Sequence, residues 1–196
     1  LLIRQEFLEP QTDVEGEVRR RLGLETGRPT IGMLYGGEGS RKMLELADAL
    51  KHLADAPQVI FICGRNEALA SSLRAANLPY PHAVLGFTGD IASLLRASDL
   101  FVGKPGPGSI SEALAAGVPV LLDATRVLPQ ERYNLRWVVD AGVGEVFRDR
   151  QTFLAAIERF MAGGLAAFTA AARRHDNRSA QEMIEIVRQY LPDEPS

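Results

Sequence analysis

The sequence predicts an α/β domain built on a doubly wound, Rossmann-like parallel sheet, and three observations carry that prediction. From Pro29 onward, short apolar runs alternate with amphipathic stretches, each pair separated by Gly, Pro, Asn or Asp. The runs are apolar along most of their length, which marks strands buried on both faces and so helices on both sides of the sheet. The 196 residues, 46% hydrophobic and 24% charged, are one domain's worth of ordinary globular composition.

Taken in order, residues 1–22 read as a connecting segment and a first helix. The first clear strand spans 30–34. After the glycine turn at 36–39, Met43, Leu46, Ala47, Leu50 and Leu53 recur at helical spacing, with Lys42, Glu45 and Lys51 on the other face. The pattern repeats as strand 58–63 with helix 67–76, strand 82–85 with helix 91–97, and strand 100–102 with helix 110–116. A fifth strand at 118–122 leads through a polar loop to a helix at 134–141 and a short strand at 145–147. The α/β unit therefore covers 23–150. Residues 151–196 read as C-terminal helices packing on it, with Met183, Val187, Tyr190 and Leu191 as the last apolar stripe.

Charge and composition exclude several classes. Lys and Arg number 22 against 25 Asp and Glu, so no electrostatic footprint for a nucleic acid is present. The longest apolar runs, such as 118–122, fall far short of the roughly 20 residues that cross a bilayer, and no signal pattern opens the chain. The single cysteine, Cys63, cannot form an internal disulfide and fits a reducing compartment, so a cytoplasmic location is expected. The chain begins at Leu1, without Met, inside what reads as a connecting segment, and is expected to be part of a longer protein.

In a doubly wound sheet, ligands sit outside the carboxyl ends of the strands. Chemistry is therefore sought in the loops 36–40, 64–66, 86–90, 103–109 and 123–134. The strongest signal is Gly103-Lys-Pro-Gly-Pro-Gly-Ser-Ile-Ser-Glu112, which runs directly from a strand into a helix. Gly106 and Gly108, flanking Pro107, let backbone come close to a ligand. The amides and dipole of the following helix favour an anion such as a diphosphate. The alternative is a tight strand-to-helix turn with no ligand.

Other nucleotide motifs fit poorly. The segment from Gly37 to Lys42 lacks the second glycine and the Lys-Ser/Thr pair of a P-loop. Gly106, Gly108 and Ser111 approximate a dinucleotide fingerprint with Asp123 as the ribose acid. That acid comes too soon, however, and the turn belongs to the fourth βα unit instead of the first, which argues against a nicotinamide or flavin enzyme.

Glu112 has two readings that spacing does not separate. Its carboxylate could accept from a ribose diol beside the diphosphate, or Ser109-x-x-Glu112 could form a capping box. Gln130 and Glu131 place an amide beside a carboxylate, a pair suited to a polyhydroxylated ligand; the alternative is a solvated loop with Asn134 as a helix cap. His52, His82 and Cys63 show no metal-ligand spacing, and no metal site is expected. No serine or cysteine in these loops has a partner histidine for nucleophilic hydrolysis.

These residues together resemble the C-terminal, nucleotide-sugar-binding half of a GT-B glycosyltransferase. The group is glycosyltransferase family 28, with the monogalactosyldiacylglycerol synthases and diacylglycerol glucosyltransferases. The lipid II transferase of peptidoglycan synthesis is a more distant relation. The stretches that carry the resemblance are Gly36-Gly-Glu-Gly39, Ile62-Cys-Gly-Arg-Asn66, Gly86-Phe87, Lys104-Pro-Gly-Pro-Gly-Ser-Ile-Ser-Glu-Ala113, and Gln130-Glu131 with Asn134. They occur in the family's order across about residues 23–147.

The resemblance implies a UDP-sugar donor and no further cofactor. Phe87 and neighbouring backbone would hold the uracil, Glu112 the ribose hydroxyls, and Gly106, Pro107, Gly108 and Ser109 the diphosphate. Gln130 and Glu131 would contact the sugar, and Gly37, Arg65 and Asn134 complete the donor-binding set. Pro105 stands where an alanine is usual, and Arg132 and Tyr133 occupy positions that are small in the lipid transferases. The resemblance further implies inverting transfer without a metal. The general base, a lipid acceptor and peripheral membrane contact would belong to an N-terminal acceptor domain or partner subunit. Two other readings share the fold: a non-catalytic nucleotide-binding or interaction module, and a UDP-sugar epimerase.

Overall fold

The structure is a computed structural model and describes residues 4–7 and 14–175. Six strands, β1 (Thr30–Leu34), β2 (Gln58–Ile62), β3 (His82–Leu85), β4 (Leu100–Gly103), β5 (Val120–Asp123) and β6 (Gly144–Phe147), form one sheet in the order β3-β2-β1-β4-β5-β6. Every pairing is parallel, with Ile31 of β1 seated between Val59 of β2 and Leu100 of β4.

Helices α1 (Val14–Arg21), α2 (Lys42–Leu50), α3 (Glu67–Ala75), α4 (Ile91–Arg96), α5 (Pro107–Ala115), α6 (Arg132–Asp140), α7 (Arg150–Met161) and α8 (Ala166–Arg174) cover both faces. Successive strand side chains point to opposite faces, and that alternation divides the core in two. Met33, Phe61 and Val102 pack with Met43 and Leu50 of α2, Leu73 of α3 and Phe153 of α7. Leu34, Ile60 and Phe101 pack with Val18 of α1, Leu95 of α4, Leu114 of α5 and Val138 of α6.

The doubly wound sheet expected from sequence is present, with four local differences. Strand β3 is only half-buried because it lies at the sheet edge. Helix α5 starts at Pro107, three residues before the expected 110, since proline's fixed φ suits a first helical position. Helix α6 starts at Arg132, so Asn134 is not its cap. The fifth strand is shifted to Val120–Asp123, because Val118 still donates its N–H to Ala113 O and belongs to the end of α5. The stripe expected at Met183, Val187, Tyr190 and Leu191 lies outside the described residues.

One buried cation ties α1 to the amino edge of the sheet. Arg19 is 2% exposed; its Nε donates to Ala97 O at 2.9 Å and its Nη2 to Asp99 Oδ2 at 2.8 Å. The same Asp99 oxygen accepts from the Thr30 N–H at 2.8 Å, so one carboxylate fixes both the helix and the start of β1. Asp99 is itself 41% exposed, so water can solvate its carboxylate once the guanidinium is gone, and the cost of removing Arg19 is that of its hydrogen bonds to charged and carbonyl partners. Arg19→Ala is expected to lower unfolding free energy by about 2 kcal/mol in urea titrations.

Buried protons also shape the response to alkali. Burial pushes the Cys63 thiol up to about 11. Burial, and then the neighbouring Asp123 carboxylate, raise Tyr35; burial and then Asp48 raise Tyr80, whose OH donates to Ala47 O at 2.8 Å. In the unfolded chain a thiol titrates near about 8.5 and a phenol near about 10, so the unfolded state releases protons that the fold retains. These contributions are full below those values and are lost as pH rises. Stability is expected to decline from about pH 9 upward, and Cys63→Ala to move the onset toward about pH 10, in urea titrations at stepped pH.

Candidate functional site

The winding reverses between β1 and β4, so the loops that follow these two neighbours diverge and open a crevice at their carboxyl ends. The turn after β1 is held by the turn after β2. Gly64 has φ +60°, and a Cβ there would lie 2.1 Å from Gly37 O, so only glycine allows the approach. The Arg65 N–H donates to Gly37 O at 2.8 Å. Asn66 finishes the lock: its Nδ2 donates to Glu38 O at 3.1 Å while its Oδ1 accepts the Leu69 N–H at 2.9 Å and caps α3.

On the rim, the Arg65 guanidinium carbon sits 4.8 Å from the centre of the Phe87 ring. Phe87 is 68% exposed, a large aromatic face left uncovered at the crevice mouth.

The floor is made by the start of α5. Gly106 is its N-cap in an extended conformation and has no side chain to close the first-turn amides. Asn134 Nδ2 donates to Pro105 O at 2.8 Å, pinning the turn to α6. A Cβ placed on Gly108 would meet nothing within 4 Å, so its Cα faces open space. Four residues on, Glu112 accepts from Arg4 Nε at 3.0 Å. The capping-box reading of Ser109 and Glu112 does not hold, because α5 begins at Pro107 and Ser109 is already its third residue.

A cleft of about 280 Å³ results, with Gly37, Phe87, Ser109 and Glu112 among its walls. The structure therefore brings together four of the residues singled out from sequence. Arg65 stacks at the rim, Gly106 is the N-cap of α5, and Pro107 and Gly108 are its first two residues. The other three stand apart from this wall. Gln130 is exposed, Glu131 is buried with Oε2 accepting the Leu128 N–H at 3.3 Å, and Asn134 is committed to Pro105. Sequence reasoning missed Arg4, which lies in the cleft wall 108 residues from its partner Glu112 and has no local pattern to mark it. Among the described residues, no group of His, Cys, Asp or Glu is placed to hold a metal ion. No single described helix is long and apolar enough to cross a membrane.

If Asn134 is a fastener of the turn, Asn134→Ala should cost about 1 kcal/mol in urea unfolding. It should also shift the amide resonances of Lys104, Gly106 and Gly108 while leaving those of β1 and β2 in place.

The family described as glycosyltransferase family 28 C-terminal domain matches residues 32–186. Monogalactosyldiacylglycerol synthase 1 of Arabidopsis thaliana, described as chloroplastic, is 36% identical over 152 residues, covering 74% of this chain and 28% of that protein. The Spinacia oleracea monogalactosyldiacylglycerol synthase is 30% identical over 192 residues, covering 90% of this chain and 37% of that protein. The chain thus spans about a third of the length of these relatives. Among solved structures, Acinetobacter baumannii MurG superposes with a TM-score of 0.74 at 20% identity, over 93% of this chain and 55% of that one. Anabaena HepE in complex with UDP-glucose superposes with a TM-score of 0.63 at 18% identity, over 94% and 55%. At such identities these two structures share the fold.

Proposed function

The chain belongs to the glycosyltransferase family 28 C-terminal domain family, and from that premise we propose that it is the donor half of an inverting glycosyltransferase. It binds a UDP-sugar whose hexose passes to a lipid acceptor held by a partner domain. The observation that carries the reading is the cleft that joins an exposed aromatic face, an uncapped helix start and a carboxylate in sequence along one wall.

Each part suits one part of the donor. Phe87, backed by the Arg65 cation, offers a flat face and neighbouring backbone groups to uracil. Glu112 accepts from the ribose diol, whose two hydroxyls match its two oxygens. The first-turn amides of α5 hold the diphosphate, with Gly108 allowing close approach. As the glycosidic bond breaks, charge accumulates on the departing UDP, and fixed N–H dipoles offset it without a metal ion. Gln130, exposed beyond the cleft wall, is the residue left to contact the sugar, because the Glu131 carboxylate is buried on the Leu128 N–H. The general base and the acceptor pocket come from the N-terminal half or a partner subunit, through which the enzyme meets the membrane. The names of the curated relatives support a galactolipid product.

Arg4 must release Glu112 before ribose binds. The pair is partly exposed, with side chains 45% and 19% accessible, so its loss costs at most about 1 kcal/mol. The donor displaces Arg4 readily.

Calorimetric titration with UDP tests the reading. Glu112→Ala should weaken UDP at least about tenfold, the loss of hydrogen bonds to a charged group. Gly108→Ala should weaken UDP as well while leaving stability unchanged or raised by up to about 1 kcal/mol, since alanine is the better helix former and its methyl meets only ligand. UDP binding that is absent in the wild type, or equal in all three proteins, removes the proposal.

A further inference from the structure

Helix α6 turns outward a face that its own packing leaves unused. At about 100° per residue, Val139, Arg132, Arg136, Asp140 and Tyr133 follow one another around a single arc, and all five are exposed. Val138, on the opposite side, is buried with Leu114 of α5 and Leu122 of β5.

Apolar surface is concentrated here. Among the described residues four large hydrophobic side chains stand exposed: Phe87 of the donor cleft, and Leu128, Tyr133 and Val139 of this one stretch. Single exposed hydrophobes are ordinary, whereas a group of them marks a contact. Leu128 does not owe its exposure to a slack loop. Its N–H donates to Glu131 Oε2 at 3.3 Å and its carbonyl accepts the Glu131 N–H at 2.9 Å, so the backbone is held while the side chain stays uncovered.

Cations accompany these residues. Arg132 and Arg136 lie between Val139 and Tyr133 on the arc, and neither has an ion pair or side-chain hydrogen bond among the described residues. Trp137 flanks Tyr133, and its ring meets that of His175 edge-on with centres 5.3 Å apart, which brings the end of α8 and the exposed Arg174 alongside. Asp140 is the single acid on the arc, and Glu131 is buried.

The mixture selects the partner. A protein interface gathers apolar contacts at its centre and depletes charge there. On α6 the arginines sit between the apolar residues, as they do on a helix that lies in a membrane interface. In that position arginine stems run along acyl surface while the guanidinium heads meet phosphates. A tyrosine there keeps its ring in the apolar layer and its hydroxyl in the wet one.

We propose that Leu128 and the outer arc of α6 form a docking face for an anionic lipid surface. The contact belongs to this chain and adds to any made by an acceptor domain. It shares no residue with the donor cleft, so it stands whether or not that cleft binds UDP. Gln130 lies between Leu128 and α6. Under the proposed function, and resting on that reading, docking here sets the sugar end of the donor beside the bilayer that carries a lipid acceptor.

Sedimentation of the chain with vesicles, in the absence of nucleotide, tests the face. Binding is expected to phosphatidylcholine vesicles that contain phosphatidylserine and not to phosphatidylcholine alone, and it should fall as salt is raised. Arg132→Gln with Arg136→Gln should weaken it at least about tenfold. Leu128→Ser with Tyr133→Ser, which leaves every charge in place, should also weaken it at least about tenfold. Unchanged amide resonances in β4 and β5 report an intact fold in both double variants. Glu112→Ala should sediment as the wild type does, which separates this face from the donor cleft. The proposal is overturned by wild-type protein that stays in solution with the phosphatidylserine vesicles, an outcome that leaves a protein partner as the occupant. Equal sedimentation with phosphatidylcholine alone, or wild-type binding by either double variant, overturns it too.

Discussion

The reversal of winding between β1 and β4 is the constraint on which the cleft depends. Had the chain kept winding one way, the loops after adjacent strands would close over each other and no crevice would form at their ends. Here β1, β2 and β3 run outward in one direction and β4, β5 and β6 in the other, so the 36–39 turn stands alone above the switch. An isolated turn needs support, and it comes from the neighbouring β2 turn. The contact between Gly64 and Gly37 O, with the Arg65 and Asn66 hydrogen bonds, makes the two turns one unit. The shape of the crevice is therefore set by this backbone lock.

Local stability and function pull apart at α5. Helix α3 is closed by Asn66 and helix α7 by Asp149, whose side chain accepts the Thr152 N–H. Helix α5 has a glycine at the same position and no side-chain cap, which sacrifices about a few tenths of a kcal/mol of helix stability. The loss is offset nearby: Pro107 pre-sets the first helical φ, and Asn134 fastens the preceding carbonyl. The turn is thus held rigid from behind while its amides stay open in front, an arrangement that a side-chain cap would defeat.

Much of this was legible in the sequence because it is local. Alternating apolar runs disclose the strands, and Gly103 to Glu112 discloses a backbone-rich turn into a helix. The errors arise where two local signals compete or where the partner is distant. Ser109 and Glu112 have capping-box spacing, but Pro107 starts the helix earlier and the spacing is coincidental. Asn134 looks like a cap or a ligand contact, yet its partner is Pro105, 29 residues away and reached only when α6 packs back toward the turn after β4. Arg4 is farther still from Glu112.

Under the proposed function, a half that supplies no base still contributes to rate. Contacts to uracil and ribose are equal before and during transfer, so they set affinity and little else. The α5 amides differ, because the charge they face grows only as the sugar leaves. Their stabilisation is larger in the transition state than in the bound donor, and it requires no reorganisation, since Pro107 and Asn134 fix the dipoles beforehand. The division of labour between the halves is then chemical: one activates the acceptor, the other makes UDP a better leaving group. Rigidity at Pro105 and openness at Gly108 belong to the catalytic step, although neither residue exchanges a proton.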